Sequence, residues 1–356
     1  PVLSARMIAD MLARIGDRID PDIFTAYSPP AGRPEHRLQL ARKITDGRDL
    51  PVEADRLLIT NGAQQAIFVA LAAAGPGPLA TEAFTYPGAL RAARELGRRL
   101  VPIALDGEGM VPEALEAALA APEPPRVLYL VPSVQNPTGG TMGEARRRRI
   151  AAIARAHDLL VVEDDVYSVF VPRALPPIAR LAPERTLYVG SLAKSLAPGI
   201  RVGYLVSPAA LVERCHHVLA ATTSMAHPMS CLLMEHCLAE GLGTSVARSI
   251  RAEASRRNRL ARAILGDRVA PAEMESLHLW LPMSASRARE IVRRAASSNL
   301  LLAPPEAFMA DPGGEDAGLR LCLGNVADAD LGPAIDTLAR LLSTGAVASL
   351  DEPPLV

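Results

Sequence analysis

Four short apolar runs in the sequence each end in polar residues that could do chemistry together. The run at 57–60 leads into Asn61-Gly62-Ala63-Gln64, and the run at 127–131 leads into a Pro/Gly turn with Asn136. The run at 159–162 leads into EDDVY, and the run at 186–189 leads into GSLAKSLAPGIR. If these ends meet, they combine an anion-binding helix start with an amide, a carboxylate, a phenol and an amine.

The amine is the most informative of these groups. Only two of the 38 basic residues are lysine, Lys43 and Lys194, and the others are arginine. Lysine can lose its proton and act as a nucleophile, whereas arginine effectively does not. We therefore interpret Lys194 as a residue that does chemistry. Lys43 lies next to polar helix residues, and we attribute it to chance.

This set of groups matches what pyridoxal 5′-phosphate (PLP) requires of a protein. Its aldehyde needs a lysine amine for a Schiff base, and its pyridine nitrogen needs a carboxylate that keeps it protonated. Its phenolic oxygen needs hydrogen-bond donors, and its phosphate needs N–H groups, hydroxyls and an arginine. The residues therefore predict a PLP site.

The elements that must position these residues alternate between strand and helix patterns. Strands are predicted at 57–60, 79–83, 127–131, 159–163 and 186–189, and helices at 3–16, 64–74, 88–98 and 143–157. Such alternation favours an α/β doubly wound, mainly parallel sheet, whose ligands bind beyond the carboxyl ends of the strands. After about residue 245 a long Arg-rich helix and strands near 277–282 and 318–323 predict a second, α+β domain. We assign 47–244 to the large domain, and 1–46 with 245–356 to the N-terminal segment and small domain.

Composition excludes several classes of function. The net charge of −1 gives no electrostatic case for binding nucleic acid or an anionic membrane. The basic cluster at 146–149 opens an apolar-periodic run and is interpreted as a solvated helix face. The four cysteines and seven histidines have no metal-ligand spacing, no secretory signal is evident, and we expect a cytoplasmic protein with no metal. Because the chain begins at Pro1, an upstream segment stays open.

Six motifs in order carry a family resemblance: TNGAQQA, FTYPGA, QNPTGG, EDDVY, SLAKSLAPGIRVGY and GLRLCLG. Together they resemble class I and II aminotransferases of fold type I, the aspartate-aminotransferase-like fold. Within these, the chain is similar to the 2-aminoadipate/kynurenine aminotransferase group and to the aminotransferase-like domain of GntR-family regulators. The resemblance covers residues from about 27 to 325.

The resemblance implies a role for each residue that would hold the cofactor ring. Lys194 forms the aldimine, and Asp164 pairs with the pyridine nitrogen. Asn136 and Tyr167 hydrogen-bond the phenolic oxygen, and Tyr86 stacks on the ring face. Two alternatives stay open: Asp165 could replace Asp164, and Tyr86 could be a plain core tyrosine.

The resemblance also implies how the phosphate and the substrate are held. The expected phosphate ligands are Gly62, Ala63, Gln64, Ser191, Arg201 and, from the neighbouring subunit of a homodimer, Tyr27. Arg320 takes the substrate carboxylate, unless it is a structural ion-pair partner, and Asn136 and Gly32 lie near the substrate. Relatives often have a hydroxyl residue where this chain has Ala63 and Ala193, so PLP is expected to bind less tightly than usual.

The expected function is a ping-pong aminotransferase that moves an amino group between an L-amino acid and a 2-oxo acid. Lys194, Asp164 and Tyr167 are the expected catalytic residues, and the amino acid itself stays open. The alternatives are another PLP reaction, namely elimination, cyclisation or oxidation, and a non-catalytic PLP-sensing domain of a GntR-type regulator. Ser191 and Lys194 also fit the SxxK pattern of β-lactamase-like enzymes, but no Lys-Thr-Gly accompanies them.

Overall fold

A computed structural model describes residues 5–17, 19–172 and 175–344 of the chain. The first residues of the predicted helix at 3–16 lie outside the described residues. Within the described part, no helix is both long and apolar enough to cross a membrane.

Seven strands form one large sheet, and four more form two small sheets. The strands are β1 (Leu57–Thr60), β2 (Leu79–Glu82), β3 (Leu100–Ile103), β4 (Leu105–Asp106), β5 (Gly109–Met110), β6 (Val127–Leu130), β7 (Leu160–Asp164), β8 (Thr186–Ser191), β9 (Gly203–Val206), β10 (His278–Ser284) and β11 (Asp316–Cys322). The large sheet has the order β1-β9-β8-β7-β6-β2-β3, and β9 alone is antiparallel to its neighbours. Since β1 and β8 both run against β9, they run parallel to each other, so the carboxyl ends of six strands share one edge.

Thirteen α-helices are present in the described residues. They are α1 (Ala5–Gly16), α2 (Asp22–Thr25), α3 (Pro34–Arg48), α4 (Ala63–Ala73), α5 (Pro87–Glu95), α6 (Pro112–Leu119), α7 (Glu144–Ala156), α8 (Ile178–Leu181), α9 (Val212–Thr223), α10 (Pro228–Ala239), α11 (Leu242–Leu265), α12 (Ala285–Ser297) and α13 (Asp328–Ser343). The predicted helices and strands lie within a few residues of these bounds.

Helices cover both faces of the large sheet, as the predicted doubly wound fold requires. On one face, Leu58 and Val162 pack with helices α4, α5 and α9. On the other face, Leu128 and Val161 pack with α6 and α7, and further along Ile59 packs with α3 and α10. Burial of each such side chain contributes about 1.5–3 kcal/mol, so the sheet with its two helical layers is the main source of stability.

The carboxyl-terminal part builds a separate two-stranded sheet. Strands β10 and β11 pair antiparallel, and they pack with α11, α12 and α13 around a core that includes Leu281, Ile291 and Leu319. The predicted boundary between 244 and 245 falls in the first turn of α11, and the division into domains remains a proposal.

Two predictions made from local pattern differ from the structure. The runs at 100–103 and 203–206 were not predicted as strands, although they form β3 and β9. The cluster at 146–149 is a solvated face only in part, because Arg147 is fully buried. Arg147 lies three and four residues before the buried Ile150 and Ala151, and its guanidinium donates to the carbonyls of Met142 and Pro132.

Candidate active site

A cavity of about 260 Å³ opens at the edge of the large sheet where the carboxyl ends of the strands meet. Most of the predicted site residues line it. The lining residues are Ala63, Gln64, Tyr86, Val131, Asn136, Asp164, Val166, Tyr167, Ser191, Ala193, Lys194, Pro198, Arg201 and Arg320. These residues come from six separate segments of the sequence: five lie at or beyond the ends of strands of the large sheet, and the sixth is Arg320 on β11.

Lys194 lies three residues beyond β8, in the loop that returns the chain to β9. Its Nζ lies over the ring of Tyr167, 5.5 Å from the ring centroid. The side chain is half-buried and lines the cavity, and no carboxylate of the described residues lies within ion-pair distance of it. The amine is therefore accessible to a molecule in the cavity and is not consumed by a structural ion pair.

The two neighbouring carboxylates at the end of β7 have different surroundings. Asp164 lines the cavity, accepts a hydrogen bond from Tyr129 Oη at 2.7 Å and another from the Val166 N–H at 3.2 Å. Asp165 points away and accepts from Arg48 Nε, Ser133 Oγ and Tyr188 Oη at 2.9, 2.5 and 2.8 Å. Because its partners are already in place, the alternative that Asp165 faces the cofactor is not supported.

Burial dominates the electrostatics of Asp164. It raises the pKa of this carboxyl to about 6, against the opposing effects of the Tyr129 and Val166 hydrogen bonds; nearby Asp165 raises the pKa further and Lys194 lowers it. A buried carboxylate whose partners are a phenol and an amide is under-compensated. A cation placed in the cavity would supply the missing charge.

The start of α4 forms an anion-binding cradle on the opposite wall. The first N–H groups of a helix have no acceptor within the helix, and here they belong to Ala63 and Gln64. Gly62 precedes them with φ +88°, and a Cβ there would collide with the guanidinium of Arg201. Arg201 Nη2 donates to the Asn61 carbonyl at 3.1 Å, so the cation is tied to the cradle while its other donors remain available.

Ser191 contributes less to this cradle than the sequence suggested. Its hydroxyl donates to the Val202 carbonyl at 2.9 Å and accepts from the Ala193 N–H at 3.1 Å. The proton of this hydroxyl is therefore already used across the loop between β8 and β9. The methyl side chains of Ala63 and Ala193 add no donor to the cavity.

Asn136 is held by a hydrogen-bonded turn that rests on Gln135. The Gln135 side chain donates to Glu82 and to the Phe84 carbonyl, and it accepts from the N–H and hydroxyl of Thr138. Glu82 is fully buried with no cationic partner among the residues that the structure describes, and burial raises its pKa to about 8. Asn136 itself is 5 % exposed, and its Oδ1 has no partner in the described residues.

The two-stranded sheet supplies the last wall of the cavity through Arg320. This residue pairs with Trp280 in the ladder, and its Nη2 donates to Tyr167 Oη at 3.1 Å. Its Nε is buried without a partner, and no carboxylate of the described residues lies within ion-pair distance. The alternative that Arg320 serves a structural ion pair is therefore not supported.

His278, on the same strand as Trp280, joins the two sheets. Its Nε2 lies 3.1 Å from the Gln135 carbonyl, and its ring meets the edge of Tyr167 with 5.2 Å between centroids. Burial, and then the charge of Arg320, holds the pKa of His278 well below its usual range. A neutral imidazole thus donates to the turn that carries Asn136.

Two predicted residues lie away from this cavity. Tyr27 is 86 % exposed on the described chain. Gly32 lies in a turn whose N–H donates to the Pro29 carbonyl, and it packs against Ile59 of β1. The contact of Gly32 with the substrate therefore stays a prediction.

Three residues of the site were not predicted from the sequence: Glu82, Tyr129 and His278. Tyr129 and His278 each interrupt a short apolar run, VLYLV or LHLWL, and Glu82 ends the short strand LATE. Such a residue is costly to bury, so it normally has a specific partner. That signal was present in the sequence, but the partners lie on other segments of the chain: Asp164 of β7 for Tyr129, and Gln135 of the turn beyond β6 for Glu82 and His278.

The sequence profile described as aminotransferase class I and II matches residues 8–338. This chain belongs to that family. Its cofactor is therefore PLP, and the two predictions of fold type I and of a PLP-dependent aminotransferase are confirmed.

Individual relatives agree with the family. The chain is 30% identical over 336 residues to the 2-aminoadipate transaminase of Thermus thermophilus, with 90% of this chain and 82% of that protein covered. The α-aminoadipate aminotransferase LysN, also from Thermus thermophilus and solved with N-(5′-phosphopyridoxyl)-L-leucine, is 28% identical with a TM-score of 0.84, covering 96% of this chain and 89% of that one. The transcriptional regulator PdxR of Corynebacterium glutamicum is 30% identical over 244 residues, 68% of this chain and 52% of the regulator.

The residues of the cavity fit PLP. The donors at the start of α4 and on Arg201 suit a phosphate, and the under-compensated Asp164 suits a protonated ring nitrogen. The unpaired amide oxygen of Asn136 and the unpaired Nε of Arg320 are buried polar atoms of the same cavity. A ligand that pairs with them would remove a desolvation cost of about 1–3 kcal/mol for each.

Proposed function

We propose that this aminotransferase moves an amino group between an L-amino acid and a 2-oxo acid by a ping-pong mechanism. The observation that carries the proposal is the joint placement of Lys194, Asp164 and Arg320 around one cavity of about 260 Å³. None of the three has an opposite charge within ion-pair distance among the described residues, so the cavity can receive a charged molecule.

PLP, when bound, supplies an aldehyde that joins an amine covalently and a ring that withdraws electrons from the substrate Cα. We propose that Lys194 holds the cofactor between turnovers. The N–H groups of Ala63 and Gln64, with Arg201, would hold the phosphate. Asp164 would keep the ring nitrogen protonated, and Asn136 and Tyr167 would donate to the phenolic oxygen.

Lys194 is also the proposed proton carrier. Its Nζ takes the proton from the substrate Cα as a general base, and later delivers a proton on the same side of the cavity. The ring of Tyr167 beneath Nζ limits the directions that the amine can take. No other lysine lines the cavity, since Lys43, the second lysine of the chain, lies elsewhere.

Arg320 is the proposed receptor for the substrate carboxylate. A guanidinium can pair with a carboxylate through two parallel hydrogen bonds, which fixes the orientation of the Cα–H bond toward Lys194. Tyr167 holds Arg320 through Oη, so the same phenol that faces the cofactor also orients the substrate-binding arginine. The names of the relatives suggest 2-aminoadipate and aromatic amino acids as the first substrates to test.

We further propose that the enzyme is a homodimer in which Tyr27 reaches the phosphate of the partner subunit. In support, the N-terminal elements expose several large apolar side chains, namely Ile8, Leu12, Phe24 and Tyr27. Large exposed apolar side chains grouped in one segment are typical of an interface. Light scattering of the purified protein would measure the mass, and a monomer at micromolar concentration would contradict this part of the proposal.

The experiment that tests the function follows the visible absorption of the PLP-loaded protein during single half-reactions. We expect the cofactor band to bleach when 2-aminoadipate or an aromatic amino acid is added, and to return when a 2-oxo acid follows. Elimination would instead release ammonia with no need for the second substrate. A sensor would shift its band without turnover.

Lysine variants give a matched control for this experiment. Lys194→Ala should lower kcat by at least about 10²–10⁴-fold, because the variant lacks the general base. Lys43→Ala removes the other lysine and should leave kcat unchanged. Full turnover by Lys194→Ala would overturn the proposed mechanism.

A further inference from the structure

A second cavity lies behind the loop that carries Lys194, and we call it the rear cavity. Its volume is about 440 Å³, within the range of small-molecule sites. Of its described lining residues, only Val166 and Ser191 are shared with the active-site cavity. Lys194, Asp164 and Arg320 do not line it, so the rear cavity is a separate space and not an extension of the substrate site.

Arg48, the last residue of α3, is an unusual member of the wall. Its side chain is 8 % exposed, and its Nε donates to Asp165 at 2.9 Å. Its Nη1 and Nη2 are buried and have no hydrogen-bond partner in the described residues. Buried donors are almost always paired, and leaving one unpaired costs about 1–3 kcal/mol. An acceptor that enters the rear cavity would relieve this cost.

The charged residues that line the rear cavity, among the described residues, are all cationic. Its charged lining residues are Lys43, Arg48 and Arg251. Lys43 donates only to Thr244 Oγ1 at 3.5 Å and Arg251 to the Val169 carbonyl at 3.1 Å, and neither has a carboxylate within ion-pair distance in the described residues. Cations grouped around a partly enclosed space attract an anion.

The remaining wall is mainly apolar. Its side chains include Leu40, Ile44, Val171, Leu192, Leu196 and Leu238. Inorganic phosphate would leave these apolar side chains uncovered. The apolar body of a larger ligand would cover them and remove their surface from water, which is favourable. We propose that the rear cavity binds an amphipathic carboxylate, with its head at Arg48 and its apolar body against these side chains.

Calorimetric titration of the PLP-loaded enzyme with octanoate tests this assignment. We expect saturable binding at one site per chain, and at least about tenfold weaker binding of the uncharged octanamide, because a charge-assisted hydrogen bond is lost. Octanoate that does not saturate the wild-type enzyme would overturn the proposal. Equal affinity for octanoate and octanamide would overturn it as well, since Arg48 would then have no part.

Variants separate the rear cavity from the active site. Arg320→Ala removes the proposed substrate receptor and should leave octanoate binding unchanged. Arg48→Met should weaken binding about tenfold, and Ala247→Trp should abolish it by filling the cavity from α11 without touching the Arg48–Asp165 contact. Ser249→Trp, an exposed position of the same helix, is the matched control. Loss of binding in Arg320→Ala with retention in Ala247→Trp would show that octanoate occupies the active site, which contradicts the proposal.

The same carboxylate chemistry could come from a fatty acid or from a 2-oxo acid of the reaction. Titration of Arg320→Ala with 4-methyl-2-oxopentanoate distinguishes the two sources, because the active site no longer competes. Tighter binding than octanoate would identify a 2-oxo acid, and weaker binding would identify a fatty acid. If neither compound binds this variant, the rear cavity does not take carboxylates and the proposal fails, while the proposed transamination would be unaffected.

Discussion

Asp164 and Asp165 are adjacent in sequence, yet they belong to two regions with opposite electrostatic design. Behind β7, Asp165 is surrounded by Arg48, Ser133 and Tyr188, which together complete its hydrogen bonds. In front of β7, Asp164 has a phenol, an amide and a cavity. Alternation along a strand sends the two side chains to opposite faces. The difference shows that the structural carboxylate, Asp165, has its charge compensated within the protein, whereas the charge of Asp164 is left for a ligand to compensate.

The largest expected effect is the loss of stability when Asp165, the carboxylate behind β7, is replaced. Asp165→Asn breaks a buried ion pair whose members are 8 % and 0 % exposed, and should cost about 3–5 kcal/mol of stability because Arg48 remains buried. Urea unfolding measures it. A loss below about 1 kcal/mol would mean that Asp165 is not the structural member of the pair.

Replacing Asp164, the carboxylate in front of β7, should have the opposite consequences for activity and stability. Asp164→Asn should lower kcat by about 10²–10³-fold, the cost of removing one preorganised electrostatic partner, while stability changes little or improves. Steady-state kinetics and urea unfolding on the same preparation check both halves. If Asp164→Asn destabilised the fold as much as Asp165→Asn, the contrast between the two regions would be wrong.

Glu82 is a third buried carboxyl group, and its effect should be seen in the pH dependence of stability. Its folded pKa of about 8 lies above the unfolded value of 4.5, so the folded protein holds a proton that the unfolded chain releases between these values. The stability from this group is present below pH 4.5 and is lost as pH rises toward 8, by at most about 1.4 kcal/mol per pH unit. Glu82→Gln should flatten that part of the profile, measured as urea midpoints from pH 5 to 8. An unchanged slope would contradict the buried neutral acid.

His278 tests whether the two sheets act together. His278→Phe removes the donor to the Gln135 carbonyl and should lower kcat about tenfold by loosening the turn that carries Asn136, whereas His278→Gln should restore most of it. Since its pKa lies well below the usual range, His278 should add no titration to the pH profile of kcat between 6 and 8. A wild-type-like His278→Phe enzyme would make this contact purely structural.

The smallest effect concerns the phosphate cradle. Ala63→Ser and Ala193→Ser each add a hydroxyl to the cavity wall, where the Ser191 hydroxyl already donates to the Val202 carbonyl. One added hydrogen bond is worth about 0.5–1.5 kcal/mol, so PLP should bind about 2- to 10-fold more tightly to each variant. Titration of the apoprotein with PLP measures this without catalysis. Weaker binding would indicate that the methyl groups fill space that the phosphate needs.

The sequence identified those site residues whose chemistry is distinctive and whose position follows a strand directly. Lys194, Asp164 and Asn136 satisfy both conditions, and the shared edge of a parallel sheet brings them together. Residues that act through a partner on another segment of the chain were not identified. Tyr129 and His278 lie in apolar runs where local pattern shows only burial, and the direction of a buried side chain depends on tertiary packing.

Arg147 illustrates a further limit of local pattern. A run of four arginines is typical of a solvated surface, and only the helical register reveals that one of them faces the core. The local description of a basic cluster was correct, but it did not show that Arg147 is buried.

The antiparallel pairing of β8 and β9 fixes the distance between two parts of the site. Ser191 and Gly203 face each other in the β8–β9 ladder, so the loop between them begins and ends at fixed points. Lys194 and Arg201 both lie on this loop, and Gly203 has no room for a Cβ against the backbone of Gly62 and Ala63. The span between the amine and the phosphate ligand is thus set by a count of residues. Inserting or deleting a single residue between 195 and 200 would change that span, although every functional side chain would still be present.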